Sequence, residues 1–390
     1  MKNITKTVWA LSLVSLFTDI SSEMLYPIMP VYLKSIGFSI VLIGVLEGFA
    51  EATAGLSKGY FGKLSDLKGK RLPFVQLGYF FSALSKPMMA VFTWTAWVFS
   101  ARTLDRLGKG VRTGARDAIL SDEATPATKG TVFGFHRAMD TLGASIGPLA
   151  ALAFLYYFPE SYQALFYLAF VPGMLGVFTT FFVKEKQHQI QVTRQSVNFF
   201  SFLKYISQSK PEYRKLLIGL LIFTLFNSSD VFLLLMLKHH GFSDTAMIGA
   251  YIFYNLVYAV FAYPAGVVAD KIGLKKMFII GLIIFVITYL GMAISKDWLV
   301  MYLLFFLYGI YASCTEGISK AWISNACDKK DTATAIGTYE GLRSITAMLA
   351  SSLAGLIWFY ASPQATFLVT GIGVAIAAGY FMRIPYSPNH

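Results

Sequence analysis

Gly62-Lys63-Leu64-Ser65-Asp66-Leu67-Lys68-Gly69-Lys70-Arg71 joins two apolar stretches. A degenerate copy, Gly266-Val267-Val268-Ala269-Asp270-Lys271-Ile272-Gly273-Leu274-Lys275-Lys276, recurs 204 residues later. Each copy opens with a glycine that permits close helix contact. An acid then stands at a helix end, followed by a glycine turn and by cations. A carboxylate so placed pairs with basic residues or with the N-terminus of an opposing helix. Such a bond latches two helices in one conformation and releases them in another. The register extends outward. Lys34 and Gly37-Phe38-Ser39 match Lys238 and Gly241-Phe242-Ser243 at the same spacing, and Gly134 matches Gly337 at 203. The chain is a duplication.

Of its 390 residues, 56% are hydrophobic and 14% charged, where a soluble domain has about 45–50% and about 25%. This composition excludes a soluble enzyme and a disordered chain. The apolar runs are continuous and long enough for membrane helices of about 20 residues, without the alternation of barrel strands. Twelve spans are expected at 7–33, 40–61, 73–94, 97–120, 130–157, 162–183, 213–237, 244–268, 277–295, 298–323, 333–360 and 364–382. The fold class is therefore all-α and polytopic. An N-terminal six-helix bundle (1–183) precedes a central loop (184–211) and a C-terminal six-helix bundle (212–390). An even span number per half makes the repeats parallel, related by a pseudo-two-fold axis normal to the membrane. That arrangement places a solute site near the midplane between them. Within the central loop, Phe199, Phe200, Phe202, Leu203 and Ile206 beside Lys204 suggest an amphipathic helix on the membrane surface.

The 33 Lys and Arg against 21 Asp and Glu fall mainly in alternate connections. Lys2 and Lys6 precede the first span, while Lys184, Lys186, Arg194, Lys204, Lys210, Arg214 and Lys215 crowd the central one. The positive-inside rule then puts both termini and this loop in the cytoplasm. The localisation expected is multi-pass in the cytoplasmic (inner) membrane. The surplus charge is read as topology, with no nucleic acid as partner. Asp19 and Glu23 interrupt the first apolar run, and no small-residue cleavage site follows it, so it reads as a retained helix. The two cysteines, Cys314 and Cys327, form neither a bridge nor a metal site by spacing.

The Gly62–Arg71 stretch resembles the signature between helices two and three of the major facilitator superfamily, and the resemblance covers essentially the whole chain. Leu67 stands where that family usually has Arg. The resemblance implies twelve helices in two six-helix bundles working by alternating access. Its gating elements fall on Gly62, Asp66, Gly69, Lys70 and Arg71 and, in the copy, on Gly266, Asp270, Gly273 and Lys275. Gly143-Ala144-Ser145-Ile146-Gly147-Pro148 looks like the family's fifth-helix motif of antiporters, with Gly143, Gly147 and Pro148 retained and Ala151 and Leu152 in place of its closing glycines. Arg102 and Gly108 match the family's fourth-helix motif, with Arg106 replacing its first Gly. The resemblance implies that Arg102 projects into a cavity and influences a protonatable carboxylate.

Span four carries Arg102, Asp105, Arg106, Lys109, Arg112, Arg116 and Asp117 at helical spacing, a face too polar for lipid. Asp19 and Glu23 lie four apart on span one, and Glu47, Glu51 and Lys58 share a face of span two. With Asp140, the acids Asp19, Glu23, Glu47 and Glu51 are the candidates for proton coupling, because neighbouring buried carboxyls raise one another's proton affinity. The competing reading is static pairing, for example Glu51 with Lys58 or Arg102. Substrate-cavity candidates are Tyr26, Lys58, Arg102, Arg106, His136, Asn227, Asp230, Asn255, Glu316, Glu340 and Arg343. For Glu340 and Arg343, three apart and level with Arg137 and Asp140 of the other half, an internal pair is the leading reading and a substrate contact the lesser one.

Phosphate loops, HExxH and nucleophile elbows are missing from the sequence, so neither an enzyme nor a cofactor is expected. The reading is a secondary transporter of a small solute, with protons as coupling ion, functional as a monomer among membrane lipid. A cationic excess among Lys58, Lys86, Arg102 and Arg106 favours a polar or anionic solute. A proton-driven multidrug or metabolite efflux antiporter is the alternative. A receptor that has lost transport, and a lipid-acting enzyme, are the other classes.

Overall fold

The computed structural model describes residues 4–186 and 198–384, without the side chains at 40, 41, 244 and 245. Lys2 and Arg194 of the charge pattern lie outside these residues. The chain runs α1 (Lys6–Leu25), α2 (Met29–Ser35), α3 (Ile40–Lys68), α4 (Leu72–Val91), α5 (Thr95–Asp122), α6 (Lys129–Tyr157), α7 (Tyr162–Thr180), α8 (Lys204–Gln208), α9 (Pro211–Leu225), α10 (Val231–His239), α11 (Asp244–Ile272), α12 (Leu274–Ile294), α13 (Trp298–Ala326), α14 (Thr332–Tyr360) and α15 (Pro363–Arg383). No strand occurs among the described residues.

The sequence repeat is a repeat of helix boundaries. Ser39 and Ser243 each cap the following helix, accepting from Leu42 N and Ala246 N, which satisfies an otherwise orphaned donor. Gly37 and Gly241 precede them with φ of 93° and 83°, while Gly69 and Gly273 end α3 and α11 with φ of 63° and 100°. These are the positive-φ glycines among the described residues, a conformation that a Cβ penalises. Both repeat pairs therefore mark turns.

Spans one and seven, expected as continuous, are each broken. Pro27 lies in the interruption between α1 and α2 and Pro30 in the first turn of α2, because proline cannot complete the backbone ladder. Between α9 and α10, Phe226-Asn227-Ser228-Ser229-Asp230 leaves the helix as polar side chains take over its bonds: Ser351 Oγ accepts from Ser229 N at 3.1 Å. Eight helices of the described residues are long and apolar enough to cross a membrane on their own: α1, α6, α7 and α11 to α15. The other four expected spans fall on α3, α4, α5 and the interrupted α9–α10. Outward stripes such as Val171, Leu175 and Phe178 on α7, and Ile372 and Ile376 on α15, are exposed. Apolar surface on that scale belongs in lipid.

Contacts divide the chain into two compact units. One comprises Met1–Glu123, Met139–Gln208 and Cys327–Gly341, the other Ala124–Ala138, Ser209–Ala326 and Leu342–His390. The opening turns of α14 thus pack with first-half helices, and those of α6 with second-half helices. Within the first unit α5 packs on α3 and α4, and within the second α13 packs on α11 and α12.

The 199–206 segment departs from the expected surface helix. It forms a 3-10 turn, Phe199–Leu203, leading into α8. Phe202 is 2% exposed, and its ring fills the place where a Cβ on Gly59 would stand, 2.5 Å away. The absent side chain at Gly59 makes the hole that draws Phe202 inward.

Candidate functional site: two latches and a charged ladder

Asp66 lies beyond the apolar span of α3, where the helix runs into the Gly69 turn. Its Oδ1 accepts from Arg71 Nε at 3.1 Å and Nη2 at 2.8 Å. Its Oδ2 accepts from Thr334 N at 2.7 Å and Thr334 Oγ1 at 2.8 Å, the start of α14. Arg71, 2% exposed, also donates to Asp122 and to Lys329 O. Glu185 accepts from the backbone N of Arg71 and Leu72 at 2.7 and 2.9 Å. Burial pushes the Asp66 carboxyl up to about 6, against the lowering pull of Arg71 and Thr334. The pairing expected of this loop is present, with Arg71 as the cation where Leu67 supplies none. Lys70 points outward and is exposed.

Asp270 repeats the arrangement. Its Oδ1 accepts from Gly130 N at 2.7 Å and its Oδ2 from Thr131 N at 2.7 Å and Thr131 Oγ1 at 2.5 Å, the start of α6. Glycine makes both crossings possible. A Cβ on Gly62 would stand 2.4 Å from Ala333 O, and one on Gly266 2.2 Å from Gly130 O. Gly134 and Gly337 are as close to Ala262 O and Lys58 O, at 2.5 and 2.4 Å. Lys275, expected in the gate, instead donates to Met382 O and Ile384 O. Where the first copy has Asp122 to hold its cation, the second has Asn325 at spacing 203, and the lysine reaches carbonyls at the end of α15. Thr334 and Thr131, at spacing 203, were not read from the sequence. Extending the Gly134–Gly337 register by three residues finds them.

In the first unit, α3 and α5 form a ladder. Arg102 makes a fork to Glu47 (Nε–Oε1 2.8 Å, Nη2–Oε2 2.7 Å), and one turn on Arg106 meets Glu51 at 3.0 Å. The static partner of Glu51 is therefore Arg106, correcting both Lys58 and Arg102. Lys58 instead meets Glu340 of α14 at 3.0 Å. Lys86 of α4 meets Asp105 at 2.8 Å, beside a narrow cleft of about 10 Å³ that Ser22, Met29, Arg102 and Phe166 also line. Each of the four cations counted as an excess thus has a carboxylate: close pairing in a poorly solvated interior is what permits their burial. Lys109, exposed on the same helix, forms no close ion pair among the described residues. Its charge acts on Asp19, Glu23 and Glu51.

Asp19 of α1 faces Asp140 of α6, and Ser15 Oγ donates to Asp140. Gly143 and Gly147 bring α6 onto α1: a Cβ there would lie 2.5 Å from Leu16 O and 2.7 Å from Met24 N. Tyr26, half exposed, ends α1 at its break. In the second unit, Glu316 of α13 receives Arg137 at 3.0 Å and Arg343 at 2.8 Å, and Arg137 also donates to Tyr258 Oη at 2.9 Å. His136 and Asn255 are buried. Asn255 donates to Tyr251 O, one turn back on its own helix. Asn227 and Asp230 lie in the interruption of span seven.

The profile of the Major Facilitator Superfamily matches residues 11–254 and 216–390. Over 389 residues the chain is 35% identical to an uncharacterized MFS-type transporter of Methanocaldococcus jannaschii, covering 98% of this chain and 95% of the relative. An uncharacterized protein of Mycobacterium bovis is 29% identical over 167 residues, 43% of this chain and 41% of its own. Among solved structures, the human organic anion transporter MFSD10 superposes with a TM-score of 0.81 at 16% identity, covering 96% and 98% of the two chains. The Escherichia coli fucose:proton symporter superposes with 0.76 at 11% identity, covering 96% and 97%. At such identities the likeness is one of fold.

Proposed function

The chain belongs to the major facilitator superfamily, multi-pass membrane transporters, and on that premise we propose that it moves a small polar or anionic organic solute across the cytoplasmic membrane by alternating access, with protons as the coupling ion and both termini in the cytoplasm. The duplicated latch carries the reading. Each copy joins a helix of one sequence half to the start of a helix from the other, through hydrogen bonds that water can replace. A receptor that only binds has no use for two releasable caps in one register. Broken helices at corresponding places in the halves support a solute site near the membrane midplane.

The anionic preference rests on Lys109, since Lys58, Lys86, Arg102 and Arg106 are matched by acids. For the proton, Asp19 with Asp140 is the favoured pair: two facing carboxyls hold one proton more readily than either alone. Glu47 and Glu51 serve to hold guanidiniums.

The test uses proteoliposomes enclosing a pH-sensitive dye, with organic anions, sugars, amino acids and lipophilic cations added in turn. An anion or neutral polar solute should change the internal pH in wild type and do so less in Lys109→Ala. A response confined to lipophilic cations would replace this reading with the efflux antiporter, which the Gly143–Gly147 seam between α6 and α1 favours. No response to any solute would remove proton coupling.

A further inference from the structure

The second unit holds a carboxylate that the proposed transport cycle leaves without a role. Asp230 stands at the interruption of span seven, immediately before α10. Its Oδ1 accepts from Tyr308 Oη at 2.6 Å and its Oδ2 from Tyr254 Oη at 2.7 Å. Among the described residues no Lys or Arg comes within ion-pair distance of it. Two neutral hydroxyls occupy half of the acceptor positions of an ionised carboxylate and cancel none of its charge, and a charge in such surroundings is costly without a counter-charge.

Other oxygens gather beside it. Ser228 Oγ and Tyr289 Oη, in residues 5% and 1% exposed, make no hydrogen bond of good geometry, although Tyr289 Oη lies within reach of the Ser228 and Tyr308 hydroxyls. Asn227 donates its Nδ2 to Tyr311 Oη at 3.0 Å, which leaves its Oδ1 buried and unpartnered. The ring of Tyr308, whose hydroxyl holds Asp230, has Tyr289 and Tyr311 at centroid distances of 6.4 and 5.2 Å. Tyr254 lies at 5.4 Å. Where α9 ends, its last carbonyls also lose their helical partners.

The donor set is all oxygen and carries one negative charge. Calcium and magnesium sites recruit more anionic oxygen, and transition metals favour imidazole or thiolate. Among the described residues no cluster of three or more His, Cys, Asp or Glu could hold a metal ion. A single positive charge meets the need, and the phenol rings add attraction to a cation through their faces. We propose that Asp230, Asn227, Ser228 and Tyr289 form a binding site for a monovalent cation, taking either an alkali ion or the protonated amine of an organic solute. The candidate proton acids all belong to the first unit, so this site is separate from them.

The experiment uses the purified full chain in detergent at mildly alkaline pH, where protons compete least. Sodium, potassium or methylammonium chloride replaces N-methylglucamine chloride at constant ionic strength, and thermal unfolding is followed. A ligand that binds the folded state raises its melting temperature in a saturable way. Saturation by sodium or potassium identifies an inorganic ion, and saturation by methylammonium alone identifies an amine head group. Asp230→Asn should abolish the shift. Tyr289→Phe and Ser228→Ala should weaken apparent affinity roughly tenfold, the effect of one lost hydrogen bond. Glu212→Gln, an exposed acid on α9, should leave it unchanged. A melting temperature indifferent to all three cations, or equal shifts in wild type and Asp230→Asn, would overturn the site. Should Asp230→Asn not fold, the wild-type titration and Tyr289→Phe decide. Binding is read without transport, so this result stands apart from the flux assay.

Discussion

Asp66 accepts two hydrogen bonds from a buried arginine and two from Thr334, whereas Asp270 takes all three of its bonds from the neutral start of α6. The counterpart of Arg71 at spacing 204 is Lys275, which reaches carbonyls at the end of α15 instead. The counterpart of Asp122 at spacing 203 is Asn325, whose amide donates to Pro126 O at 3.1 Å. The shared part is steric and local: a glycine against a carbonyl, and a carboxylate over a helix start. The charged part belongs to the first copy and depends on Arg71, Asp122 and Glu185 together. A duplicated latch can thus keep its geometry while its two copies differ in strength and in sensitivity to pH.

The largest effect should come from neutralising each acid in turn. Asp66→Asn takes one of two carboxylates from a buried arginine and leaves Asp122, so the loss stays below the roughly 3–5 kcal/mol of a buried pair broken outright. Asp270→Asn removes an acceptor from neutral donors, roughly 1–3 kcal/mol. Hydrogen exchange reads this directly. The Thr334 amide should exchange faster in Asp66→Asn by a larger factor than the Gly130 and Thr131 amides do in Asp270→Asn. Equal factors would mean that Arg71 adds nothing to the cap.

Gly62→Ala and Gly266→Ala probe the shared part. Each places a methyl group against a backbone carbonyl, at 2.4 and 2.2 Å, and overpacking costs roughly 1–3 kcal/mol. Thermal unfolding should show similar losses for the two variants, since the steric element is the same in both copies. A loss confined to one would break the equivalence.

The two-copy pattern was visible in the letters because glycines at positive φ, serine caps and helix-end carboxylates are local requirements. Gly37 with Gly241 and Gly69 with Gly273 announce turns without any tertiary knowledge. What the letters hid was pairing at a distance. Glu340 sits one turn from Arg343 yet meets Lys58, 282 positions away. Glu51 meets Arg106 although Lys58 shares its own helix face. Helical spacing tells which side chains lie along one face, but the opposing helix decides which charge each one meets. Phe202 was misplaced for the same reason: its amphipathic neighbourhood pointed to lipid, and the hole over Gly59 is a property of the fold.

A smaller effect follows from acidity. Asp66 sits at about 6 because burial raises it, so it is ionised above that pH and takes up a proton as pH falls through it. The carboxyl holds its proton more tightly when buried in the cap than when released into water, so linkage favours the capped state as pH falls through about 6. Exchange at Thr334, corrected for the intrinsic rate, should therefore slow as pH drops through about 6 in wild type and stay flat in Asp66→Asn. The smallest effect belongs to Lys70→Ala. That side chain is exposed, and thermal unfolding should place its change within about 0.5 kcal/mol of zero.

Solute-driven proton flux in proteoliposomes carrying wild type, Asp66→Asn or Asp270→Asn, each confirmed folded by its unfolding transition, tests most directly whether turnover depends on the caps. Flux should drop at least about tenfold in Asp66→Asn, equivalent to 1.4 kcal/mol or more on the rate-limiting step, and by less in Asp270→Asn. Wild-type flux in Asp66→Asn would show that release of α14 from Asp66 is not part of the cycle.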